Sequence, residues 1–128
     1  MRTVYMDSFT MTAIKDEQLN MGFDPGFTPR MLQVVVGARS NAEDTITRQS
    51  YGQAIDGHLQ YTTATFNNST RNIGRITQNR IAVVIEIHNG NPNRVIDWEF
   101  IGWNQYGPNI RVHKFDTRFQ GYFTVWGD

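Results

Sequence analysis

Hydrophobic and polar positions alternate along much of this chain, most clearly over residues 80–103. Ile81, Val83, Ile85 and Ile87 alternate there with Ala82, Val84, Glu86 and His88, and a polar break, Asn89-Gly90-Asn91-Pro92-Asn93, follows. Beyond it Ile96, Trp98 and Phe100 alternate with Val95, Asp97, Glu99 and Ile101. Side chains on a strand point to opposite faces in turn, so the pattern predicts two strands, each burying one face. The residues of the break tolerate positive φ or fix a turn, so the two strands are expected to pair as an antiparallel hairpin.

The remaining segments follow the same logic. Residues 3–11 mix Val4, Tyr5, Met6 and Phe9 with Thr and Ser, and predict an edge strand or an extended N-terminal arm within 1–12. Residues 12–20 carry a thin apolar stripe behind Thr12, which fits a short capped helix or a loop. A turn-rich connector with Phe23 and Phe27 leads through Thr28-Pro29 into Met31-Leu32-Gln33-Val34-Val35-Val36-Gly37. The nearly unbroken apolar character of that run predicts a central strand buried on both faces. Strands are also expected around Ile46, over 58–67 and from Ile73. Near the C-terminus, Ile110, Val112 and Lys114 are expected on one face of a strand with Arg111, His113 and Phe115 opposite. In the last strand Phe119, Gly121, Phe123 and Val125 share a face, with Tyr122 and Trp126 on the other. Seven or eight strands with short connections and at most one short helix define an all-β fold, an antiparallel β-sandwich or jelly roll.

Composition narrows the function more than the fold. A chain of 128 residues suits a single domain, 1–128, that buries roughly two-thirds of its unfolded surface. Lys plus Arg and Asp plus Glu balance at 12 each, which argues against sequence-independent nucleic-acid binding, since that needs a basic surplus to displace counterions. The absence of cysteine removes disulfides and thiolate metal sites, and fits synthesis in a reducing cytoplasm. No run approaches the ~18–20 apolar residues of a membrane span. The N-terminal residues lack the apolar stretch of a signal peptide, so ordinary secretion is not expected. Charged residues make up only 19% of the chain, and Asn, Gln, Thr and Gly fill much of the rest. Such a neutral polar surface is usual in β-proteins that work outside cells or inside assemblies.

Candidate chemistry is sparse. His58, His88 and His113 and the serines Ser8, Ser40, Ser50 and Ser69 form no Gly-x-Ser-x-Gly elbow. The acids are scattered singly at turns, apart from Asp97 and Glu99, two residues apart on one outward strand face. Such a pair has the residue types of a glycoside-hydrolysis acid and base, and equally those of a solvated strand face. No catalytic residue, cofactor or metal is expected. The aromatics carry more. Trp103 and Tyr106 flank a loop with Asn104 and Gln105, an arrangement that suits stacking on a host glycan or contact with a protein. The competing reading has Trp103 capping the core. The candidate contact residues are therefore Phe23, Phe27, Trp103, Asn104, Gln105 and Tyr106.

Two stretches taken together carry a resemblance. Gly26-Phe27-Thr28-Pro29 precedes an apolar strand, and Phe115-Asp116-Thr117-Arg118-Phe119-Gln120-Gly121-Tyr122-Phe123-Thr124-Val125-Trp126 closes the chain, with Ile55-Asp56-Gly57 between them. In this order they resemble small β-sandwich domains of tailed-phage structural proteins, found in tail appendages and on capsid surfaces. Phe119-Gln120, standing between the turn and Gly121, departs from the closing pattern. The closing strand is also similar to the last strand of trimeric complement-globular-head jelly rolls, which the rest of the chain does not follow. The phage resemblance implies a virion structural protein, with capsid decoration preferred over a tail or spike module. It implies symmetric assembly as a homo-oligomer, a trimer foremost, or binding to capsid or tail neighbours; the charge balance and the lack of an apolar span leave nucleic acid and membrane unexpected as partners. A receptor-binding lectin is the alternative.

Overall fold

The structure, a computed structural model, describes residues 2–9, 18–20, 28–39, 46–55, 59–68, 71–104, 107–115 and 119–128. Side chains are described over 28–37, 48–55, 59–67, 72–87, 89–103, 107–115 and 121–128. In chain order the strands are β1 (Arg2–Phe9), β2 (Gln18–Asn20), β3 (Pro29–Arg39), β4 (Ile46–Ile55) and β5 (Leu59–Asn68). They continue with β6 (Arg71–Gln78), β7 (Ala82–His88), β8 (Asn91–Asn104), β9 (Gly107–Phe115) and β10 (Phe119–Gly127). Eight of them form the body of a β-sandwich, β10-β3-β4-β5-β6 in one sheet and β9-β8-β7 in the other. β1 extends the larger sheet beside β10, and β2 extends the smaller beside β9. Every pairing is antiparallel. The all-β sandwich is the architecture that the alternation predicts.

The expected hairpin is β7–β8, and its turn is tighter than the polar break suggests. His88 pairs with Asn91, so only Asn89 (φ 51°) and Gly90 (φ 80°) form the turn. Positive φ at both positions gives the two-residue turn whose twist matches the strands it joins. Asn91, Pro92 and Asn93 continue into β8, where they pair with His88, Ile87 and Glu86. Proline is tolerated there because β9 begins to pair only at Ile96, so among the described residues that flank of β8 carries no ladder to break.

Between the sheets lies one main core. Leu32, Val34 and Val36 of β3 and Phe123 and Val125 of β10 face Ile96, Trp98 and Phe100 of β8 and Ile110 and Val112 of β9. Trp98 is fully buried and stacks on Phe115, ring centroids 5.8 Å apart. A second cluster joins Val83 and Ile85 of β7 to Ala64 and Phe66 of β5.

Four expectations need correction. β7 is buried on both faces: Ala82 and Val84 enter the main core, while Val83 and Ile85 enter the second cluster. The cause is a corner at which β7 lies against β4. The Val83 amide donates to the Ser50 hydroxyl (3.0 Å), and Ser50 is bonded to Thr62 Oγ1 (2.6 Å). Gly52 sits so close to Ile81 that a methyl group there would overlap the Ile81 carbonyl. β3, by contrast, is central but buried on one face, since Val35 remains 41% exposed. A two-layer sandwich has no third layer to cover it.

On β9, Lys114 is exposed and Phe115 buried, the reverse of strict alternation. Trp98 pairs with Val112 and Asp97 with Lys114, so His113 is the extra residue of a β-bulge that shifts the faces by one. The fourth correction concerns residues 12–20. Gln18–Asn20 is strand β2, paired with Arg111, Ile110 and Asn109, and the described residues contain no helix. Residues 12–17 lie outside the described set.

Candidate contact surface

The outer faces of the two sheets differ in chemistry. Alternation on β10, β3, β4, β5 and β6 sends every second side chain away from the core, and the register aligns these in rows across the sheet. One row runs Tyr122, Val35, Tyr51, Thr63 and Ile76. Its apolar members are 47%, 41%, 39% and 76% exposed in that order, Thr63 aside. A second row runs Trp126, Met31, Ile55 and Leu59, with Ile55 and Leu59 exposed. Between them lies a polar row, Thr124, Gln33, Gln53, Tyr61 and Gln78. None of these positions carries a charge.

Gln53 ties the polar row to its neighbour, donating from Nε2 to Met31 Sδ (3.1 Å) and accepting from Tyr61 Oη (3.5 Å). These rows are thus partly ordered by their own contacts, rich in aromatic and apolar groups, and neutral. Charge depletion with Tyr, Trp and Met enrichment is the composition of the buried centre of protein interfaces.

The outer face of the smaller sheet carries charges that bind one another. Arg80 Nε donates to Asp97 Oδ1 (2.6 Å), and Arg94 donates to Asp97 Oδ2 (3.1 Å). His113 Nε2 lies 2.8 Å from Glu99 Oε1, and Arg80 reaches the same oxygen at 4.0 Å. Asp97 and Glu99 do share an outward face, as the sequence indicates. Each is engaged by a basic side chain, however, so the pair forms the middle of an ion network. Among the described residues no three His, Asp or Glu side chains converge as metal ligands. At the sheet junction Arg48 is paired with Glu86, and burial pushes its guanidinium pKa down.

The aromatic loop is divided by the fold. Trp103 packs against the main core, edge-on to Phe100 with centroids 5.1 Å apart, and its indole nitrogen is buried. The half-buried ring is packed as the reading of Trp103 as a core cap expects. The Asn104 backbone pairs with Gly107. The Asn104 side chain and Phe23, Phe27, Gln105 and Tyr106 lie outside the described residues, as do His58 and the His88 side chain.

The neutral sheet face was missed by sequence reasoning, although its signal was present. Val35 sits inside the apolar run whose pattern predicts burial on both faces, and Tyr51 and Ile76 stand among polar neighbours. Comparison with protein-family models, with curated proteins and with solved structures finds no match to this chain.

Proposed function

We propose that the protein is a non-enzymatic structural component of a tailed-phage particle that acts by contact with other virion proteins, capsid decoration being the preferred role. The observation that carries the contact role is the uncharged, aromatic-rich outer face of the larger sheet, centred on Val35 and Tyr51. Exposed apolar rows of this extent mark interaction surfaces. The network around Asp97 and Glu99 supports a non-catalytic reading, because its carboxylates are already bound by Arg80, Arg94 and His113. The virion setting rests on the phage resemblance of the two motif stretches. Mass spectrometry of purified particles from lysates that contain the chain tests it. The protein is expected in a fixed ratio to the major capsid or tail protein. Recovery only in the soluble fraction overturns the proposal.

Glycan binding is the second reading. It is favoured by the half-exposed rings of Tyr51 and Tyr122 on a face lined with glutamine amides. Binding on a glycan array that Tyr51→Ala abolishes would move the proposal to a receptor-binding role.

A further inference from the structure

We infer that the outer face of the larger sheet is the contact surface for a second copy of this chain, seated face to face about a two-fold axis near Tyr51. This deepens the contact role proposed above by naming the partner and the symmetry.

The first argument is charge. A surface without charge disfavours a charged partner, which would lose its hydration on docking with nothing to pair against. The partner surface must therefore be neutral. In an isologous contact the same patch meets itself, so like charges anywhere near the axis would be placed opposite one another. Among the described side chains of this face there are none, from Trp126 and Tyr122 on β10 to Ile76 and Gln78 on β6. The charged side chains among the described residues are found elsewhere, prominently on the opposite sheet around Asp97 and Glu99. Net charge is also zero, so two copies approach without long-range repulsion.

The second argument is size. Five strands at ~4.8 Å spacing and about seven residues at ~3.4 Å each give a flat footprint of roughly 600 Å² before side-chain relief is added. Stable interfaces bury about 800 Å² per partner, so the face is of the right order for pairing two whole molecules. Sheets also stack on sheets at ~10 Å separation through interleaved side chains, and the rows of Tyr122, Val35 and Tyr51 beside the Gln row supply such relief. Two-fold pairing differs from the trimer that the resemblance implies, because a three-fold ring needs two different surfaces in contact.

The experiment is sedimentation of the purified full chain over a wide concentration range, with Tyr51→Lys, Tyr51→Glu and Ile101→Lys as variants. Tyr51 lies mid-face on the middle of the five strands, and Ile101 is an exposed position on the opposite sheet. The native chain is expected at twice its 14.8 kDa mass. Y51K and Y51E are each expected to weaken pairing about a hundredfold, by setting like charges against each other at the axis. An equal mixture of the two is expected to pair again, a rescue that loss of folding cannot produce. I101K is expected to pair like the native chain. A native chain monomeric at every concentration, a trimer, a dimer indifferent to Y51K, or a mixture that stays monomeric would overturn the inference. A monomer found in purified particles overturns the pairing and leaves the virion role standing. A dimer absent from particles supports the pairing and overturns the virion role.

Discussion

Ser50 and Gly52 occupy the corner where β4 comes up against β7 and the Ile81 that precedes it. The Ser50 hydroxyl accepts from the Val83 amide and donates to Thr62 Oγ1, which in turn donates to the Tyr51 carbonyl at 3.0 Å. Ser50→Ala leaves a buried amide without its acceptor, and is expected to destabilise by about 1–3 kcal/mol in urea denaturation. Gly52→Ala is expected to cost at least as much, about 1–3 kcal/mol or more, because the added methyl overlaps Ile81 backbone that cannot rotate away. Thermal unfolding of that variant checks it; an unchanged midpoint would mean the two strands separate at little cost. Neither role is legible in the sequence. A serine and a glycine in a polar strand look the same whether they face water or another strand, and only the packing of β7 across β4 distinguishes the two.

Among the elements, β8 is held by a side chain where a strand is lacking. β7 begins to pair with it at Trp98, so the Phe100 backbone lies beyond the end of its neighbour. Gln60 of β5 takes that place, its Oε1 accepting from Phe100 N–H (3.0 Å) and its Nε2 donating to the Phe100 carbonyl (2.7 Å). Gln60→Leu is expected to cost about 1–3 kcal/mol, and to speed hydrogen exchange at the Phe100 amide ahead of the rest of β8. Exchange there that stays as slow as at Trp98 would show that Gln60 contributes nothing. At this scale the sequence is informative where spacing is regular. The alternation through Ile96, Trp98 and Phe100 identifies β8, and the Asn89-Gly90 pair identifies its hairpin. It misleads where one residue is inserted, since the bulge at His113 moves Phe115 inward with no local signal. It misleads again at Val35, because an apolar run does not say whether its second face is covered by the same chain.

For the whole molecule, the two outer faces set different responses to salt. Pairing through the neutral face is expected to hold or tighten from low to high ionic strength, since it has no charges to screen and apolar burial strengthens in excluded salts. Dissociation by moderate sodium chloride, followed by sedimentation, would place the contact on the charged sheet. At the aromatic loop residue type alone does not decide: Trp103 has the chemistry of a stacking platform, and beyond the register shift between Phe100 and Gly102 it packs edge-on to Phe100.

The corner at Ser50, Gly52 and Gln60 also governs how such a molecule comes apart. Stitched down one flank, the sandwich resembles a bound volume: β7 and β5 form the spine, while β1 and β2 lie at the fore-edge, each added to the far side of its sheet. Partial opening is expected to begin at the fore-edge, read as faster hydrogen exchange at β1 and β2 than at β7, where the Ser50 hydroxyl holds the Val83 amide.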